Sequence, residues 1–177
     1  TTTISALHDK YHRAAKDSRI NYSFYFGATN KNSHLFEKLN PHRICGIKLF
    51  MGSSTGNMLV DDKDGLNQVF SRANMPIAVH CEDTAIINAN AANYRKEYGE
   101  DVDVKYHPLI RSEEACYKSL EKAVALAQKH NKQLHILHIS TARELELLSN
   151  KPLAEKNVTA EVTPAHLIFC DKDYETK

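Results

Sequence analysis

The sequence predicts an α/β fold in which parallel strands alternate with helices, and three observations predict it. The hydrophobic period switches back and forth between strand-like and helix-like along the chain. The central strand-like run, ICGIKLF at residues 44–50, is an almost continuous apolar stretch, as expected of a strand buried on both faces. No low-complexity linker divides the 177 residues, so a single domain is expected.

Taken in order, INYSFYFGAT (20–29) reads as the first strand and NSHLFEKL (32–39) as a helix. The strand at 44–50 carries Ile44, Ile47, Leu49 and Phe50, and DGLNQVFSRA (64–73) follows as a helix. PIAVHCE (76–82) is the third strand, and TAIINANAANYRKEYG (84–99) the next helix. The long helix SEEACYKSLEKAVALAQKH (112–130) starts on Ser112, a cap followed by two glutamates. QLHILHIS (133–140) is read as a strand because of its aliphatic residues and the Ser140–Thr141 cap after it. TARELELL (141–148) opens on a capping box of Thr141 and Glu144, and NVTAEVT (157–163) is the last strand. This alternation implies right-handed crossovers and a parallel sheet.

Composition excludes several function classes. Lysine plus arginine (23) nearly balances aspartate plus glutamate (22), and the net charge of +1 names no nucleic-acid or anionic-membrane partner. No apolar segment approaches the roughly 20 residues of a membrane span, and TTTISALHDKYHR lacks the apolar core of a signal peptide. A soluble, cytoplasmic protein is therefore expected. Cys45, Cys81, Cys116 and Cys170 form no CxxC pair and read as reduced packing residues rather than zinc ligands.

Two architectures fit the alternation, an open doubly wound sheet and part of a (β/α)₈ barrel, and both put reactive groups at the carboxyl ends of strands. Lys48, His80 and His138 stand at or near three such ends. Neither GxGxxG nor GxxxxGK[ST] occurs, and GSSTG at 52–56 is weak as a phosphate loop. In LHILHIS, the odd spacing of His135 and His138 puts them on opposite faces of a regular strand. His138, nearer the carboxyl end, is the one expected to face the centre, leaving His135 as a packing or hydrogen-bonding residue on the other face.

A lysine in a buried strand is costly to desolvate as an ammonium, so Lys48 must be paired, neutral or chemically altered. Its amine has no lone pair while protonated and is then no metal ligand. With a lowered pKa it can react with CO₂ to a carbamate, an anion whose two oxygens can bridge two cations beside imidazole ligands. The alternative is a salt bridge to a buried carboxylate.

The chain resembles the cyclic amidohydrolases, and among them the dihydroorotases, through GIKLFMGSSTGNML, VHCED, HPLIRSEEA, LHILHIS and AEVTPAHL in that order. The resemblance implies a (β/α)₈ TIM-type barrel of which residues 1–177 are the central part, incomplete at both ends. It implies two divalent metal ions, zinc foremost, with Lys48 as the carboxylated bridging ligand and His80 and His138 as ligands of the second ion. Glu82 and Ser140 are supporting candidates behind those ligands. The paired HxH ligands of the family would lie before Thr1, and its late-strand aspartate, the general base, after Lys177; no HxH occurs in the chain. No catalytic residue beyond the metal ligands is therefore expected within it, and this length alone should be inactive. Ala165 also stands where many dihydroorotases have a histidine beside the equivalent of His166.

The implied activity is the reversible closure of N-carbamoyl-L-aspartate to L-dihydroorotate in pyrimidine synthesis. Hydantoinase (dihydropyrimidinase), allantoinase and a non-catalytic assembly subunit are the rival readings. A small-molecule substrate is expected and a homo-oligomer is compatible, with neither nucleic acid nor membrane as partner.

Overall fold

The computed structural model describes residues 1–52 and 58–176, so most of the GSSTG segment lies outside the described residues. Five strands, β1 (Tyr25–Gly27), β2 (Gly46–Phe50), β3 (Ile77–His80), β4 (Leu134–Ile136) and β5 (Val158–Ala160), form one parallel sheet in sequence order. An open doubly wound sheet reverses its order at a switch point. This sheet winds in one direction only, as a barrel wall does.

Register gives the wall two unlike faces. Ile47, Ile77 and Leu134 lie abreast, followed by Leu49, Val79 and Ile136, and all six are buried. They pack with Leu66, Val69 and Phe70 of α2 (Lys63–Arg72) and Leu120, Ala123 and Val124 of α5 (Glu113–Lys129) in one core. The alternate row, Lys48, Ala78, His135 and Thr159, with Phe50 and His80 one step further, forms the opposite, inner face.

Helix starts follow their caps. Asp62 accepts from Gly65 N (2.7 Å) at α2, and Asp83 accepts from Ala85 N (3.0 Å) and Ile86 N (3.1 Å) at α3 (Thr84–Tyr98). Ser112 accepts from Ala115 N at 3.4 Å, as its sequence position predicts. Glu144 likewise reaches back to Thr141, accepting from its N–H (3.1 Å) and hydroxyl (2.9 Å). The segment behind that box winds as a 3₁₀ helix over Arg143–Leu147, as does Ser33–Lys38 in the first expected helix. Both are short connectors held by tertiary packing, where the tighter winding is common.

Two expectations are corrected and one element, absent from the sequence reading, is added. The first strand is confined to Tyr25–Gly27 because Ile20 is turned into solvent and the Ser18 side chain closes a turn on it, donating to Ile20 O at 2.9 Å. The strand at 133–140 stops at Ile136, because His138 takes a left-handed φ of 42°. Ahead of the first strand, α1 (Ile4–Asp17) has the legible signature of Thr3 as cap and Ile4, Leu7 and Tyr11 on the core side. Gly46, at φ 153°, leaves room for β3: a Cβ there would lie 2.3 Å from Pro76 O. No described helix is long and apolar enough to cross a membrane.

Candidate metal centre

Lys48 reaches the inner face from the middle of β2, half-buried, and its Nζ donates to Leu49 O at 3.2 Å. The same Nζ sits 3.9 Å from the centroid of the Phe50 ring, whose face attracts a cation. Among the described residues no carboxylate lies within ion-pair distance of it, which removes the salt-bridge alternative. Burial lowers the Lys48 pKa to about 8. At pH 7 about a tenth of the side chain is then neutral amine, against well under a thousandth for an ordinary lysine.

His80 closes β3 beside Phe50, ring centroids 5.8 Å apart. Its Nδ1 lies 3.2 Å from His138 Nε2, although the two residues are 58 apart in sequence. His80 Nε2 lies 2.8 Å from Glu82 Oε2. A carboxylate only accepts, so Nε2 carries a proton, and the ring's other nitrogen, Nδ1, is the one turned toward His138. Burial lowers the pKa of His138 against a backbone hydrogen bond that raises it, and the neighbouring His80, Lys48 and His166 add to the lowering, so this imidazole favours its neutral form.

Glu82 is only 5% exposed. Burial pushes its carboxyl up, but hydrogen bonds from His80 and Arg111 and the Arg111 charge outweigh that effect and hold it below the usual range. Arg111 Nε donates to Oε1 at 2.7 Å and Nη2 donates to Oε2. Gly52 allows this loop to approach β2, since a Cβ at Gly52 would lie 2.0 Å from Glu82 O.

The structure thus brings Lys48, His80, His138 and Glu82 to one face, and it does not bring Ser140 there. Ser140 is exposed, gives its backbone N–H to Glu144 Oε2 (3.4 Å), and lines a separate groove of about 480 Å³ with Glu161 and His166. The expectation for His135 is also corrected. Its register partners are Ala78 and Thr159, so it shares the inner face, with Nδ1 at 2.9 Å from Thr159 Oγ1 and Nε2 at 3.2 Å from Glu161 Oε2. Parity failed because the left-handed turn at His138 resets the alternation and lets both histidines reach one side.

Sequence reasoning gave Arg111 and Phe50 no role. Phe50 was legible, two residues after Lys48 and so on its face. Arg111 was not, since its partner is 29 residues away.

The donor chemistry fits a divalent metal. His80 Nδ1 and His138 Nε2 converge to 3.2 Å, where each would give a lone pair to one bound ion, and a depressed lysine can supply carbamate oxygens. Among the described residues no three His, Cys, Asp or Glu side chains form a metal-holding group, and Lys48, on the same face, is the further side chain that would have to complete one.

No family model matches the chain. It is 26% identical over 175 residues to a dihydroorotase of Methanosphaera stadtmanae, covering 99% of this chain and 39% of that protein. An allantoinase of Rubrobacter xylanophilus is 26% identical over 178 residues, covering 98% and 38%. Among solved structures, the L-hydantoinase (dihydropyrimidinase) from Arthrobacter aurescens superimposes with a TM-score of 0.88 at 23% identity, over 99% of this chain and 40% of that one. The chain therefore spans about two fifths of the length of these relatives. Its sheet is part of a TIM-type (β/α)₈ barrel. Over nearly its whole length the chain is similar to cyclic amidohydrolases.

Proposed function

We propose that this protein acts as a dihydroorotase, interconverting N-carbamoyl-L-aspartate and L-dihydroorotate at a two-metal centre. The observation that carries the reading is the pairing of His80 Nδ1 and His138 Nε2, 3.2 Å apart, on the sheet face that also bears a lysine of depressed pKa. Within the cyclic amidohydrolases, KLFMGSSTGN and EVTPAHL resemble dihydroorotase more than hydantoinase.

Ring opening adds water across the cyclic amide, breaking its C–N bond and protonating the departing nitrogen. Bound metal would polarise the ring carbonyl and make water a stronger nucleophile near neutral pH. Lys48 prepares the centre: its neutral amine adds to CO₂ and releases a proton, converting a buried cation into an anion with two ligating oxygens. His80 and His138 would each hold one ion through a ring nitrogen. Glu82 keeps the proton of His80 on Nε2 and its ring in orientation. Phe50, against both Lys48 and His80, shields them from water on that side.

The test is substrate preference of the protein at its natural full length. Dihydroorotate carries a carboxylate that dihydrouracil lacks, and a site built to pair it leaves polar groups unmatched when it is absent. A much higher kcat/KM on dihydroorotate than on dihydrouracil, hydantoin or allantoin is expected. Equal or better turnover of one of those three would move the assignment to hydantoinase or allantoinase. Absence of turnover with metal bound would favour an assembly subunit.

A further inference from the structure

We infer that Arg111 is a positioning residue of the metal centre, clamping Glu82 so that Glu82 holds His80 with its Nδ1 lone pair aimed at the metal. This rests on the reading of His80 as a ligand.

The clamp is a two-pronged contact. Arg111 Nε meets Oε1 at 2.7 Å and Nη2 meets Oε2, which fixes the plane of the carboxylate. Oε2 then has its remaining direction set toward His80 Nε2, 2.8 Å away. Without Arg111, Glu82 would be a buried carboxylate with His80 as its one remaining side-chain hydrogen-bond partner among the described residues, free to rotate or withdraw. Lysine cannot substitute fully, because a point charge does not hold two oxygens in one plane.

The turn bearing Arg111 is tied to the loop bearing Glu82. Arg111 ends α4 (His107–Ile110), giving its N–H to His107 O at 2.9 Å. The Asn90 side chain on α3 donates to Ile110 O (3.1 Å) and Leu109 O (3.3 Å). Asp83 N donates to Ala115 O at 3.0 Å, joining the residue after Glu82 to the first turn of α5. Strand end, helix start and turn therefore form one frame, and the guanidinium reaches into it from a side chain still 35% exposed. Its partial exposure makes Arg111 replaceable without opening the core.

The experiment uses the full-length protein labelled with ¹⁵N-histidine. With metal removed, long-range ¹H–¹⁵N correlation reads the His80 tautomer, and zinc affinity is then measured by competition with a chromophoric chelator. Wild type should show the Nε2–H form. Arg111→Gln should mix the tautomers and weaken zinc binding about 10–100-fold, with kcat recovering at saturating zinc. Arg111→Lys should restore part of the affinity but not the single tautomer. Wild-type tautomer and affinity in Arg111→Gln would overturn the inference, as would lost affinity with an unchanged tautomer. Should Arg111→Gln fail to fold, Glu82→Gln decides: it should weaken zinc comparably, and unaltered affinity overturns the clamp. If His80→Ala keeps its full zinc content, the ligand reading fails by itself, and the tautomer measurement still judges the contact between Arg111, Glu82 and His80.

Discussion

Replacing Gly52 by alanine should damage the metal centre through the backbone of Glu82, without touching any ligand. The added Cβ would stand 2.0 Å from Glu82 O and 2.7 Å from its carbonyl carbon, where real Cβ atoms stay beyond 3.0 Å. The strand-end loop must therefore retreat by about 1 Å, as no flexible side-chain end is available to yield. A shift of that size takes the 2.8 Å contact between Glu82 and His80 beyond hydrogen-bond range. Overpacking of this kind costs about 1–3 kcal/mol. Loss of an orienting partner weakens metal binding about 10–100-fold. Urea denaturation reads the first effect and chelator competition the second. Gly99→Ala is the control: nothing lies within 4 Å of its Cβ, but its φ of 86° strains any side chain, so it should lose about 1–3 kcal/mol while keeping metal affinity. Gly52→Ala with wild-type metal affinity would refute the link from strand-end packing through Glu82 to His80.

Lys48→Ala should lose the bridging ligand and nearly all activity, a short carboxylic acid should restore part of both, and Lys48→Arg should fail because guanidinium forms no carbamate; metal content and kcat check this. Thiol alkylation at pH 8 should modify Cys45 and Cys170, which are exposed, far faster than Cys81 and Cys116. Burial, with Glu144 and Glu82 adding to it, raises the Cys116 pKa to about 12, so its thiolate should be about a thousandfold scarcer than that of an ordinary cysteine, as peptide mass mapping over time would reveal. The pH dependence of stability has a definite sign at Glu82. Its folded carboxyl is held below the unfolded value, so its contribution is complete above the ordinary carboxylate pKa and is lost as pH falls through the lowered folded value. Glu82→Gln should flatten that acid limb of the denaturation midpoint, and an unchanged slope would contradict the ionic role.

Much of the fold was legible because a buried parallel strand leaves a contiguous apolar run, as at Ile47 and Leu49, and because caps such as Ser112 and Thr141 with Glu144 act locally. The helix α1 was missed, although Thr3 as a local cap and the spacing of Ile4, Leu7 and Tyr11 carried its signal. His135 was misplaced for a physical reason: period-two alternation presumes regular extended backbone, and one left-handed residue at His138 breaks it. The pairing of His80 with His138 could be expected only from strand-end logic, since tertiary register and not spacing brings them together. Arg111 reaches Glu82 from a turn between two helices, and no periodic signal in the chain connects those positions.

The most direct test of a metal centre at this strand end is metal stoichiometry. The full-length protein, prepared in zinc with bicarbonate present and freed of loosely held ions, is compared by atomic emission with its His80→Ala/His138→Ala double variant. Two ions per chain in the wild type, with loss of at least one in the double variant while the fold is retained, is the predicted result. Equal metal content in the two proteins, or none in the wild type, would contradict it.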